Sequence, residues 1–388
     1  MTHRWNRWVA GASAIAAAAL LAACSSASSG SSSASTSASS SGSSGVAKAQ
    51  SMISQLEATT SAYPVPTASI SSVSRLKGKT FYYIPLVQFI PGFVVTAATM
   101  KTALAAVGAN LQVCNGQAQP SAISACIGQA TGAGAAGIIL DSIPEGMAAN
   151  SISAANAKGI PVIIADQIAP SGTSNTDLLT YVPGVVNQPT QIAWWIIANS
   201  GGKGNLVIAE EADSPSSIQY VQSSLAIYKQ YCPGCTVTVK QITATMTSSE
   251  IASATSANIL AHPDATYYYT EFEDSLQPAI QGIQQSNKPT INLAVAGAST
   301  DSLGLLAKGS GPVRASVAVD QAYAGFALTD EILRLATKSS PVTEDFPSRL
   351  FDSSNIGTIQ VTSAAQASGA WFGDSSYTSD FEKLWGVG

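Results

Sequence analysis

From Lys79 onward, short continuous apolar runs alternate with longer segments of helical period. The runs lie at 81–86, 109–113, 137–140, 161–165, 205–209, 236–241, 266–270 and 291–295. Runs this short, apolar at successive positions, suit parallel strands covered by helices on both faces. The segments between them, at 96–107, 121–130, 147–157, 188–200, 216–231, 248–262 and 274–285, predict helices. Strand–helix alternation implies right-handed βαβ units and doubly wound sheets, and the number of units calls for two sheets. Gly159 before Pro161, the Gly201-Gly202-Lys203-Gly204 turn and His262-Pro263-Asp264 mark boundaries, because Gly takes left-handed angles and Pro cannot continue a helix. Ahead of the alternation, 46–60 predicts a short helix with apolar Val46, Met52, Ile53 and Leu56, ended by the proline-containing stretch at 63–66.

The N-terminus follows a different pattern. Arg4 and Arg7 precede an apolar, Ala-rich run over 9–23, too short for a membrane span of about 20 residues but shaped like a secretory signal. Leu21-Ala22-Ala23-Cys24 resembles the bacterial lipobox, which implies a signal peptide over 1–23 and a lipid on Cys24. Residues 25–45 are only Ser, Ala, Gly and Thr, so they have little to bury and are expected to form a flexible tether spanning roughly 25 Å. Such a tether holds a domain beside a membrane, and two or more acyl chains anchor it stably.

Charge removes one class of partner. The 18 Lys and Arg include Arg4 and Arg7, so the mature chain keeps 16 against 23 Asp and Glu, a net charge of −7. An acidic chain without a basic cluster is a poor nucleic-acid binder. The five cysteines are Cys24, Cys114, Cys126, Cys232 and Cys235. With Cys24 lipidated, four remain in an oxidising compartment, and the expected pairs are Cys114–Cys126 and Cys232–Cys235. Cys232-Pro233-Gly234-Cys235 also reads as a redox pair or half a zinc site. Redox motifs usually open a helix after a strand, however, and zinc needs two further ligands where the mature chain has only His262.

Several segments then carry a family resemblance. They are Gly137-Ile138-Ile139-Leu140-Asp141, the run Ala157-Lys158-Gly159-Ile160-Pro161-Val162-Ile163-Ile164-Ala165-Asp166, Gly201-Gly202-Lys203-Gly204-Asn205, and Ala315-Ser316-Val317-Ala318. In order and spacing, over about 78–345, the chain resembles the type I periplasmic solute-binding proteins, the ribose-binding and LacI-like group. The resemblance implies two α/β lobes joined by a three-crossover hinge, with a ligand between them. It assigns 46–77 to a lead-in, 78–184 plus 320–345 to lobe 1, and 185–319 plus 346–388 to lobe 2 and a C-terminal extension. It implies a monomer that serves an ABC-transporter permease, touches the membrane through its lipid alone, and needs no cofactor or metal.

Ligands of open α/β sheets sit beyond the carboxyl ends of the strands. Those positions are Gln88, Phe89, Asn115, Asp141, Asp166, Gln167, Glu210, Glu211, Glu271, Phe272 and Ser299. By resemblance, Phe89-Ile90-Pro91-Gly92-Phe93 keeps the proline and an aromatic of the sugar binders' first turn. Asp166-Gln167 stands for an Asp-Arg pair, Gln219 for an Arg, Met246 for an aromatic, Phe272 for an Asn and Ser299 for an Asp. Asp320 lies beside the position of a late Gln, and Val185-Val186 replaces an Asp-Asn. The aromatic platforms persist while both Arg forks are lost, which disfavours anionic ligands. Asp141, Asp166, Glu271, Glu273 and Asp320 make a negative cleft. A sugar or polyol is expected; a cationic or aromatic amine, gaining from the faces of Phe93 and Phe272, is the alternative. A sensor for a membrane kinase would have the same sequence features.

Catalytic readings lack parts. Gly132-Ala133-Gly134-Ala135-Ala136-Gly137 matches a dinucleotide motif, but it follows a helix and precedes a strand, the reverse of the required order. No Gly-x-Ser-x-Gly occurs, and His262 reads as a helix cap. A glycosidase with a carboxylate pair is the remaining enzymatic reading; the expectation is a binder, not an enzyme.

Overall fold

A computed structural model describes residues Thr36–Gly388, with side chains from Ser44 onward. The expected signal peptide, Cys24 and the tether as far as residue 35 lie outside the described residues. The rest of the tether departs from expectation: α1 (Thr36–Leu56) is a helix, not a coil, over 36–45. Gly45 is buried with its Cα facing the Tyr231 carbonyl, and Ala49 is fully buried. A docked helical stretch supplies the nucleus, and extension back through Ser and Ala then costs little.

The first sheet takes in β1 (Thr80–Pro85), α2 (Pro91–Ala106), β2 (Asn110–Val113), α3 (Pro120–Gly132), β3 (Gly137–Asp141), α4 (Ala149–Ala157), β4 (Val162–Ala165) and β5 (Leu179–Val182). Its order is β2-β1-β3-β4-β5, parallel throughout. Phe81, Tyr83, Ile139 and Ile163 enter one core; Tyr82, Ile84, Ile138 and Ile164 enter the core on the other face. The continuous apolar runs thus mark two-sided burial.

The second lobe runs through α5 (Gln188–Asn199), β6 (Asn205–Glu211), α6 (Pro215–Tyr231), β7 (Thr236–Ile242), α7 (Ser248–Ala261), β8 (Tyr267–Thr270), α8 (Leu276–Gln285), β9 (Asn292–Ala296), α9 (Thr300–Lys308) and β10 (Val313–Val319). The chain returns to the first lobe as α10 (Gln321–Thr337), which lies along α2, then adds β11 (Ser348–Asp352) antiparallel to β10. The second sheet has the order β11-β10-β9-β8-β6-β7. These are two α/β lobes with mainly parallel sheets, as the alternation implied. The chain passes between them after Val182, at Asp320, and between Thr337 and Ser348.

Two further passages join the lobes, and the second departs from expectation. α1 packs on α5 and α6 of the second lobe, whereas Ile70, Val73 and Leu76 of the same lead-in sit in the first-lobe core. After α11 (Ser363–Ser368), Trp371 and Phe372 fill the second-lobe core. The last helix, α12 (Tyr377–Leu384), then crosses back: Tyr377, Phe381 and Trp385 join Tyr323 and Phe326 in the first-lobe core. Trp385 Nε1 donates to Asp330 Oδ1 at 2.7 Å. The tail therefore serves both lobes rather than lobe 2 alone, because its aromatic residues meet an apolar face of α10 that strand–helix alternation does not reveal. The two passages hold each other, the Thr60 amide donating to the Phe372 carbonyl at 2.7 Å.

Both expected cysteine pairs are bonded, with Cα–Cα distances of 5.8 Å for Cys114–Cys126 and 5.3 Å for Cys232–Cys235. The second closes the turn between α6 and β7, which suits a structural bridge. No helix among the described residues is long and apolar enough to cross a membrane.

The contact of α10 with α2 depends on Gly325. A Cβ there would collide with Thr99 Oγ1 and lie 2.8 Å from the Thr96 carbonyl oxygen and 3.0 Å from the Met100 amide nitrogen. Ala normally favours a helix over Gly by about 1 kcal/mol. Gly325→Ala is nonetheless expected to lower stability by about 1–3 kcal/mol through overpacking. Urea unfolding of the variant checks this, and equal or greater stability would refute the close packing.

Candidate functional site

Parallel strands leave their carboxyl ends free, and both sheets direct theirs at the gap between the lobes. A cavity of about 310 Å³ lies there. Its first-lobe wall carries Phe89 and Phe93 after β1, Ser142 after β3, and Asp166 and Gln167 after β4. The second-lobe wall carries Glu211 at the end of β6 and Asp213 after it, Met246 after β7, and Phe272, Glu273 and Asp274 after β8. Gln188 and Gln321 reach it from the two crossovers.

Local backbone geometry sets two of these side chains. Ser142 and Asp166 both have φ of 57°, the left-handed region that non-glycine residues rarely take. Each follows the last residue of a strand, so the unusual angle turns the chain sharply at the cleft edge. Such strain, worth about 1–3 kcal/mol per residue, persists where surrounding structure enforces it. The lobes also touch here: the Tyr220 hydroxyl donates to the Asp166 carbonyl at 2.7 Å, and Ser216 Oγ accepts from the Ile168 amide at 2.9 Å.

The electrostatics are one-sided. Asp166, Glu211, Asp213, Glu273 and Asp274 line the cavity, and no Lys, Arg or His does. Burial, then the neighbouring Asp141, holds the Asp166 carboxyl well above the ordinary range. Burial, followed by the charges of Asp274, Glu271 and Asp213, does the same to Glu211. Glu271 lies behind the wall, where Oε2 accepts from the Ser217 hydroxyl and from the Glu211 amide at 2.8 Å. Burial still pushes its pKa up to about 8. Three lining side chains, Gln167, Gln188 and Glu211, are 6 %, 5 % and 7 % exposed. None has a side-chain hydrogen bond among the described residues. Buried polar groups without partners are rare in folded chains, and here they face a cavity.

The structure brings Phe89, Phe93, Asp166, Gln167, Met246 and Phe272 together at the cavity. It keeps the other expected residues out of the lining. Gln88 is exposed beside it. Asn115 Oδ1 accepts from the Gln117 amide, closing the turn after β2. Asp141 sits behind Asp166, accepting from the Tyr83 hydroxyl at 2.5 Å. Gln219 is exposed on α6, one residue before the lining Tyr220. Ser299 caps α9, and Asp320 caps α10 while accepting from the Tyr63 hydroxyl at 2.9 Å. These groups satisfy helix ends and turns, which compete for the same residue types. Ser142, Gln188, Asp213, Tyr220, Asp274 and Gln321 were not singled out. Ser142 directly follows a strand and was within reach of the strand-end rule; the others come from helices, crossovers and loop interiors, which carry no such signal.

Comparison with known proteins follows the same geometry. The profile described as "Periplasmic binding protein domain" matches residues 81–339. A sugar ABC transporter protein from Yersinia enterocolitica is similar in structure, with TM-score 0.67 and 17% identity, covering 82% of this chain and 98% of that one. A 5-methylthioribose transporter solute-binding protein from Thermotoga lettingae gives TM-score 0.65 at 14% identity, covering 78% and 98%. A Caulobacter myo-inositol binding protein gives 0.62 at 16%, covering 76% and 98%. At these identities the likeness is one of fold. No curated protein matches the chain significantly in sequence.

The raised acids make stability depend on pH. Glu271 has a folded pKa of about 8, above its ordinary 4.5, so its neutral form is the one the fold favours. That contribution is fully present below the unfolded value and is lost as pH rises through the folded one. The unliganded protein is therefore expected to melt at lower temperature at pH 9 than at pH 5. Glu271→Gln keeps an acceptor for Ser217 and Glu211 and cannot ionise. Its melting temperature relative to the parent should rise by more than about 2 °C across that range, the shift roughly 1 kcal/mol produces at this size. A constant difference measured by calorimetry would show that Glu271 does not titrate there.

Proposed function

The chain belongs to the periplasmic binding protein domain family, and on that premise we propose that it is an extracytoplasmic lipoprotein which captures a sugar or polyol between its lobes for uptake through an ABC-transporter permease. The observation that carries this reading is the cavity's composition. Phe89, Phe93 and Phe272 offer ring faces, while Gln167, Gln188 and Glu211 offer donors and acceptors that the protein leaves unused. Sugars present apolar C–H faces and a rim of hydroxyls, so both kinds of surface have a counterpart. A volume of about 310 Å³ is at the lower end of small-molecule sites, the scale of one sugar ring. The family is one of substrate-binding transport proteins, and the named neighbours include binders of myo-inositol and 5-methylthioribose.

In a thermal-shift and calorimetric screen of the mature protein, one of myo-inositol, allitol, 5-methylthioribose or the common aldoses should bind one-to-one and remain chemically intact. At a hundred times the dissociation constant it should stabilise the fold by about 2.7 kcal/mol. Phe93→Ala should weaken that binding roughly tenfold, the loss of about 1.4 kcal/mol of ring contact. A ligand consumed over time would make the protein an enzyme instead. Separately, Cys24→Ala should move the protein from the membrane fraction to the soluble one, since acyl chains are the proposed anchor. Continued membrane retention would refute the lipobox reading.

A further inference from the structure

The second-lobe wall of the cavity is more acidic than a neutral solute requires. Glu211, Asp213, Glu273 and Asp274 line that wall, with Asp166 across from them. The two ion pairs among the described residues, Asp330–Arg334 and Asp380–Lys383, involve none of these acids. Glu271, immediately behind, has internal donors on one oxygen, Oε2, from the Ser217 hydroxyl and the Glu211 amide. Glu211 is different. It is 7 % exposed, it lines the cavity, and no described residue donates to its carboxylate. Glu273 is held by Ser299 and Ser302, but its Oε1 is buried without a partner. A desolvated carboxylate must take up a proton or meet a cation.

The kind of cation follows from the rest of the site. No group of three His, Cys, Asp or Glu side chains among the described residues is placed to hold a metal ion. An ammonium group needs no such convergence, since its three donors can reach separate acceptors. The adjacent Phe272 also lines the cavity, and a ring face attracts an organic cation. Gln167 and Gln188 remain free for hydroxyls.

Resting on the sugar-or-polyol reading above, we propose that the solute is an amine-bearing polyol, an amino sugar or aminocyclitol, with its ammonium against Glu211 and Glu273 and its hydroxyls toward Gln167 and Gln188. The acids then act as the specificity determinant within a polyol cleft. A neutral parent sugar would leave them unpaired or force their protonation. An N-acetyl derivative would lose the charge and add bulk.

The test is calorimetric titration of the mature protein with matched probes: glucosamine against glucose and N-acetylglucosamine, an aminodeoxyinositol against myo-inositol, and cyclohexylamine as an amine ring without hydroxyls. In at least one set the amine should bind roughly tenfold or more tightly than its neutral parent, as expected when a charge-assisted hydrogen bond replaces a neutral one. Glu211→Gln should bring that ratio back toward one, and Glu273→Gln reads the same ratio where the first variant folds poorly. Parents that bind as tightly as the amines would overturn the charge inference and leave the polyol reading standing. Cyclohexylamine binding as tightly as the amino polyols would overturn both, as would no binding by any probe.

Discussion

A parallel sheet sandwiched between helices has only one kind of open edge for chemistry, the ends of its strands. That constraint organises this chain. Both faces of each sheet are filled: Phe81, Tyr83 and Ile139 on one side of the first, Tyr82, Ile138 and Leu140 on the other. Along the second, Val207 and Tyr268 oppose Leu206 and Tyr269. Nothing polar can be presented from those surfaces. Polar side chains therefore gather just past Pro85, Asp141, Ala165, Glu211 and Thr270, where the strands stop. With two sheets facing each other across the crossovers, these ends form one cavity with two walls.

The acids near that cavity fall into two groups, and the distinction is one of hydrogen-bond supply. Asp141, Glu271 and Asp320 are buried, and each has protein donors: Tyr83 for the first, Ser217 and the Glu211 amide for the second, Tyr63 and two amides of α10 for the third. They are parts of the scaffold. Glu211 is comparably enclosed but has no donor to its carboxylate among the described residues, and it lies on the cavity side; Glu273, also lining the cavity, is held by Ser299 and Ser302 yet leaves Oε1 without a partner. Burying polar groups without partners is costly, so selection for stability alone would not retain them. In the proposed function, a solute with donors of its own repays part of that cost on binding.

The same distinction explains what the sequence disclosed. Strand positions were legible because two-sided burial writes itself as unbroken apolar runs; the strand-end rule led to Phe89, Asp166, Gln167, Glu211 and Phe272, and the family resemblance to Phe93 and Met246. The rule could not separate Asp166 from Asp141, or Glu211 from Glu271. Members of each pair occupy adjacent strand ends, and only the packing of Tyr83 or Ser217 decides which carboxylate is used internally. Asp320 and Ser299 misled for a related reason, since a helix cap and a ligand contact call for the same side chain at the same place. β5, β10 and β11 lay beyond the alternation that could be read. β5 follows β4 with no helix between them, and β11 runs antiparallel with Arg349 within it. The helical reach of α1 back to Thr36 was hidden because Ser, Ala and Gly show no apolar face.

The lead-in and tail bear on how the lobes can move. Ligand capture between lobes requires rotation about the passages that join them. Three of those passages belong to the lobes themselves. The other two come from the chain's ends: the lead-in links α1 on the second lobe to the first-lobe core, and the tail links Trp371 to α12. They meet at Thr60 and Phe372, and Tyr63 then ties them to Asp320, the cap of α10 at the second crossover. Tyr63 also lies against Tyr323 and Tyr377, with ring centroids 5.2 and 4.6 Å away. A brace placed far from the axis would block rotation. This one is anchored at a crossover, where displacement during rotation is smallest. It therefore ties the two lobes together beside the hinge rather than across the mouth of the cavity.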